Sequence, residues 1–188
     1  MMRLFKTSTP HAMNRRHFIV HAVMIALASP VLAEESEPLP ATSSFRIVQV
    51  DPRLITKTND TYAVGWEKKR SDVMGSVYLS HEESVKLKTI LNKALTPSKN
   101  VPFCGHAPAY VIVLLDSGRP VKFVSLCGLC MTWCDSSGEL RVLDDSEIMP
   151  FLTKVLPLPP AFSKVKQMPD LFNLDLKKSF LELPSQTP

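Results

Sequence analysis

The sequence predicts an α+β domain: an antiparallel β-meander of about four to six strands, two helices packed on it, and a cysteine cluster at one hairpin end. Three observations predict it. Residues 109–115 form an unbroken apolar, largely β-branched run that ends on the turn Asp116-Ser117-Gly118-Arg119. Ser80-His81-Glu82-Glu83 is a capping box that opens a stretch of helical periodicity. All four cysteines, Cys104, Cys127, Cys130 and Cys134, fall in or just before the hairpin that follows.

Residues 45–50 alternate enough for a strand and stop at Asp51-Pro52, where proline removes a ladder donor. Residues 61–66 and 76–79 are further strand candidates around a charged turn, with Lys68-Lys69-Arg70 read as its solvated part. The Ser80 hydroxyl can accept from the Glu83 amide while Glu83 reaches back, so a helix starts there. Val85, Leu87, Ile90, Leu91, Ala94 and Leu95 recur at helical spacing, and Pro97 closes the helix. The run 109–115 is too short for a buried helix and reads as a buried strand. The chain returns along 121–127, continues as 131–134, turns at 135–138 and returns along 139–143. Asp145 or Ser146 then caps a second helix that runs to about Val155. Strands with segregated helices define the α+β class.

The N-terminal segment has a different grammar. Residues 1–33 carry Arg3, Lys6, Arg15 and Arg16 and no acid, then an apolar run over 18–28 and the exit Ser29-Pro30-Val31-Leu32-Ala33. A basic front, a short apolar stretch and a small-residue exit describe a secretory signal peptide cleaved after Ala33. The apolar run falls short of the ~20 residues a membrane-spanning helix needs, so no anchor is expected after cleavage. Met13 is an alternative start, because residues 13–18 begin a complete short signal. Asn14-Arg15-Arg16-His17-Phe18-Ile19-Val20 resembles the twin-arginine export signal, although Asn14 and Val20 depart from its usual flanks. That resemblance implies cargo that crosses already folded, whereas the ordinary secretory route is the expected one; either leaves the protein periplasmic or secreted.

The expected organisation is therefore a signal peptide at 1–33, a disordered linker at 34–44, the α+β domain at 45–156 and a Pro-rich tail at 157–188. In the tail, Leu171, Phe172, Leu174, Leu176, Phe180 and Leu181 fit neither strand nor helix period, so the tail packs on the sheet or binds a partner. Four of the 22 basic residues and none of the 18 acids lie in 1–33, so residues 34–188 balance at 18 and 18. The basic surplus belongs to the signal, and a nucleic-acid footprint is not expected. A protein or small-molecule partner remains, of unknown identity.

No catalytic residue is assigned. Only His81 and His106 follow Ala33, the glycines form no phosphate loop, and no nucleophile elbow or His-Glu-x-x-His segment occurs. The cysteines carry the remaining chemistry. Pairing Leu115 with Pro120 sets Cys127 opposite Pro108 and Cys104 opposite Met131, so Cys104 arrives beside Cys130 and His106 beside Leu129. Cys134 lies about 13 Å from Cys130 at ~3.3 Å per strand residue, too far for a direct bridge. The leading expectation is disulfides among Cys104, Cys127, Cys130 and Cys134, the default for an exported domain, with no cofactor. A second is a zinc or copper site using Cys104, His106, Cys127 and Cys130, because Cys127-Gly128-Leu129-Cys130 has knuckle spacing. A third is thiol redox chemistry at the same Cys-x-x-Cys, against which stands the strand-and-turn context after Cys130. The sequence thus points to a small exported protein, stabilised by disulfides and acting through binding.

Overall fold

Runs rich in β-branched and aromatic residues become seven strands: β1 (Ser44–Val50), β2 (Thr61–Ala63), β3 (Arg70–Tyr78), β4 (Tyr110–Asp116), β5 (Arg119–Cys127), β6 (Thr132–Asp135) and β7 (Leu140–Val142). Among the described residues, three α-helices accompany them: α1 (His81–Ala94), α2 (Ile148–Val155) and α3 (Met168–Phe172). The structure is a computed structural model, and it describes residues 44–95, 102, 104–143, 147–175 and 178. The export signal, all of the linker but Ser44, and the capping candidates Asp145 and Ser146 lie outside these residues.

The strands form one sheet in the order β2-β3-β1-β4-β5-β6-β7, and each neighbouring pair is antiparallel. The α+β class with a β-meander is therefore present, the meander running from β4 to β7. Two counts differ from expectation. Among the described residues the sheet has seven strands because all seven candidate segments join it, and β3 begins at Arg70 rather than at residue 76. Arg70 is a strand residue whose guanidinium donates to the Thr61 hydroxyl (2.9 Å) and carbonyl (2.6 Å) across the β2–β3 pair. A bulge opposite Gln49 and Val50 interrupts β3's pairing and hides its alternation from a period-2 search. The third helix, α3, is a five-residue turn within the Pro-rich tail, too short to show a period.

One face of the sheet presents Phe45, Ile47, Tyr110, Ile112, Leu126 and Trp133 to α1 and α2. Leu87, Ile90, Leu91 and Ala94 of α1 and Ile148, Phe151 and Leu152 of α2 complete this layer. Each such side chain taken fully from water stabilises the fold by about 1.5–3 kcal/mol before conformational entropy is counted. The opposite face gathers Val48, Val50, Val111, Val113 and Leu115 around Val64. Among the described residues, no helix packs on this second core. Instead the sheet curls until its two sides approach each other. Val64, just beyond β2, accepts a hydrogen bond from Ser125 Oγ of β5 at 2.6 Å. Gly65 (φ 76°) then passes so close to β6 that a Cβ there would run into the Asp135 carbonyl oxygen.

The hairpin register departs from a simple count. Leu115 pairs with Pro120, but Leu114 pairs with Lys122 and Tyr110 with Leu126, because Val121 is a bulge. From Leu114 and Lys122 onward, every pairing is thus one residue away from the count made from Leu115 and Pro120. The tail takes the first of its two options up to residue 175. Gln49 Nε2 donates to the Pro157 carbonyl at 3.0 Å, Tyr110 Oη donates to the Leu156 carbonyl at 2.6 Å, and Val165 and Leu171 are buried. Arg53 fastens the far end. Its guanidinium grips the Asp51 carboxylate (2.9 and 2.7 Å), with both side chains fully buried, and donates to the carbonyls of Asp175 (2.5 Å) and Lys178.

Candidate functional site

The pairing of β5 with β6 places Ser125 opposite Cys134 and Cys127 opposite Thr132. All four side chains therefore share the concave face of the curled sheet. His106, 1% exposed, lies over this face. Its Nδ1 is 2.9 Å from Thr132 Oγ1 and its Nε2 is 2.7 Å from Ser125 Oγ. The Ser125 hydroxyl gives its single hydrogen to the Val64 carbonyl, so it accepts from the imidazole. The network thus assigns the neutral tautomer with the hydrogen on Nε2, while Nδ1 accepts from the Thr132 hydroxyl. Burial pushes the His106 pKa down to about 4, which keeps the ring neutral at physiological pH.

The Trp66 ring stands edge-on to His106, with centroids 6.2 Å apart and planes at 78°. Trp66 and His106 line a cleft of about 660 Å³. Its walls come from residues 52–54 and Thr56, from Trp66, Lys69 and Arg70, and from residues 104–107, with Met168 of α3 closing one side. Among the described residues, three that line it are cationic, Arg53, Lys69 and Arg70, and none is acidic. Lys69 Nζ sits 4.6 Å from the Trp66 ring centroid and is paired at 2.6 Å with exposed Glu67 outside the lining.

Cys104 forms part of the cleft wall and is bonded to Cys130 in a disulfide. With its ends 26 positions apart in sequence, this bridge restricts the unfolded chain enough to stabilise by about 3 kcal/mol. Cys104 is exposed, Cys130 is half-buried, and Cys127 and Cys134 are buried free thiols. Cys127 Sγ accepts from the Cys130 amide at 3.4 Å and sits beneath Ala107, Val165 and Leu171. Cys134 lies apart on β6; burial, with the Asp135 carboxylate adding to it, pushes its thiol up to about 11.

The four residues considered for a metal are thus divided in role. Cys104 and Cys130 are bonded to each other, Cys127 lies beside Cys130, and both His106 nitrogens are engaged by hydroxyls. Among the described residues, no group of three or more His, Cys, Asp or Glu side chains is placed to hold a metal ion. Sequence reasoning missed Trp66, Ser125, Thr132 and the cationic wall. The signal for Ser125 and Thr132 was available: each is a hydroxyl at an inward strand position, which requires a buried partner.

No protein-family model matches the chain, no curated protein matches it, and no solved structure matches it. Among the described residues, no helix is long and apolar enough to cross a membrane.

Proposed function

We propose that this chain is an exported, disulfide-braced binding protein whose cleft takes a small anionic ligand with an aromatic or apolar body. The observation that carries the reading is the lining of the 660 Å³ cleft: among the described residues, three cationic residues, no acidic one, and the Trp66 ring as a wall. A cleft of this size suits a small organic molecule. Arg70 supplies the charge for an anion, Lys69 can join it by leaving its exposed, solvent-screened pair with Glu67, and Arg53, already neutralised by Asp51, supplies a fixed polar edge. His106 adds a neutral ring rather than a charge, so the preference for anions rests on lysine and arginine and persists through neutral pH. Export rests on the basic front, apolar stretch and small-residue exit of residues 1–33, and places the protein in the periplasm or outside the cell. The Cys104–Cys130 disulfide suits such an oxidising compartment.

Isothermal titration of the purified protein with naphthoate, an aromatic monocarboxylate, tests the ligand class. One site is expected, weakened ~10-fold when Lys69→Gln and Arg70→Gln are combined, about 1.4 kcal/mol. Trp66→Ala is expected to weaken both naphthoate and its uncharged amide. Equal binding of acid and amide, or no binding of either at ~1 mM, the weak end of specific recognition, would defeat the reading.

A further inference from the structure

Three of the four cysteines lie together where β5 turns into β6. Cys104 is exposed at the cleft wall, Cys130 is half-buried in the turn, and Cys127 lies beneath them with its sulfur 3.4 Å from the Cys130 amide nitrogen. We propose that Cys104, Cys127 and Cys130 form a thiol–disulfide exchange site, in which Cys127 displaces Cys104 from Cys130 and leaves the Cys104 thiolate at the cleft mouth to react with a partner's disulfide.

The turn geometry permits the exchange. Four consecutive residues in a tight turn hold their first and last Cα atoms within ~7 Å, which overlaps the span a disulfide bridges. Cys127 and Cys130 occupy those positions, and the amide contact already holds the Cys127 sulfur against Cys130. The step balances without an outside oxidant. The Cys127 thiolate attacks Cys130 Sγ, the Cys127–Cys130 bond forms, and the Cys104–Cys130 bond breaks. Cys104 leaves as a thiolate and carries the negative charge that Cys127 brought. In the second step that thiolate attacks one sulfur of the partner's disulfide, forming a mixed disulfide and expelling the other sulfur as a thiolate.

Burial divides the labour among the three. Val165 and Leu171 cover Cys127, so reagents in solution do not reach it, while its product, the freed Cys104, is exposed. Cys134 sits opposite Ser125 on β6 and takes no part. The site does not depend on the cleft's preference for anions, so its test uses an uncharged reagent.

The native full chain, purified without reductant, is treated with dithiodipyridine at mildly alkaline pH. The expected result is release of one thiopyridone per chain. After acid quenching, peptide mass mapping should place the mixed disulfide on Cys104 and a bridge between Cys127 and Cys130. Cys127→Ser should slow the release at least ~10-fold and preserve the Cys104–Cys130 bridge, while Cys134→Ala leaves the release unchanged. Absence of release from the native wild type, label on Cys127 or Cys134, or an unchanged rate in Cys127→Ser would overturn the proposal and leave a static brace over a buried thiol. If Cys127→Ser does not fold, the wild-type map decides alone, because label on Cys104 together with a Cys127–Cys130 bridge arises only through the exchange.

Discussion

His106 shows how burial sets the chemistry of a single side chain. Its folded pKa of about 4 lies below the ordinary 6.5, because the charged ring would have to leave water. As pH falls from 6.5, the unfolded chain takes up the proton before the native one does. Stability therefore declines as pH falls through the window from 6.5 to about 4, and the penalty is constant below it. The difference corresponds to a loss on the order of 3 kcal/mol across that window. Asp72, Glu83 and Glu139 work in the opposite sense. Burial alone would raise Asp72, but hydrogen bonds from the Thr58 and Lys57 amides and the Thr58 hydroxyl outweigh it and hold the carboxyl low. Ser80 holds Glu83 low, and Arg141 does the same for Glu139. Such carboxylates stabilise above their unfolded values and lose that contribution as pH falls through the folded ones, so pH 5 to 6.5 isolates the histidine. In urea titrations over that interval, His106→Gln should flatten the dependence of unfolding free energy on pH. A slope equal to wild type would show that another group carries it.

At the scale of an element, two glycines with nearly equal positive φ differ in their surroundings. Gly65 and Gly118 have φ of 76° and 77°, but a Cβ at Gly118 would meet open space, whereas one at Gly65 would strike the Asp135 carbonyl. Gly118→Ala should cost about 1 kcal/mol, the conformational share alone. Gly65→Ala should cost about 2 kcal/mol more, through overpacking where the curled sheet meets itself. Equal shifts in urea midpoint would mean that β2 and β6 separate without penalty.

The same contrast explains what could be read from the sequence. Helix α1 was legible because its start is local: Ser80 Oγ accepts from the Glu83 amide at 3.3 Å, and Glu83 returns a carboxylate to the Ser80 amide at 2.8 Å. The β4–β5 hairpin was legible in place, and the Val121 bulge cost one residue of register. Even so, the count brought Cys104 beside Cys130, the two that are bonded. The first half of β3 was obscured, because Lys68-Lys69-Arg70 has the composition of a turn while Arg70 is bonded to Thr61. The cleft was not legible at all. Trp66 reaches His106 only because the sheet curls, and His106 finds its hydroxyl partners 19 and 26 residues away.

Across the whole molecule, the Asp51–Arg53 pair joins the rim of the cleft to the C-terminal segment. Arg53 lines the cleft while donating to the Asp175 and Lys178 carbonyls, so one guanidinium serves both. Arg53→Met should destabilise by about 3–5 kcal/mol, because it strips a fully buried carboxylate of its charge partner. It should also expose residues 157–175 to limited proteolysis before the sheet unfolds. Global loss of resistance with no early cut in that segment would show that the segment is held by its apolar contacts alone.

That guanidinium also imposes an order in time. Its carbonyl partners lie 122 and 125 residues further along the chain, so Arg53 and Asp51 leave the ribosome long before those carbonyls exist. At ~5–20 residues per second, the interval is on the order of ten seconds. During it, the charged pair waits without the segment that completes its burial. Completion of the cleft rim thus waits for the C-terminal segment that supplies those carbonyls.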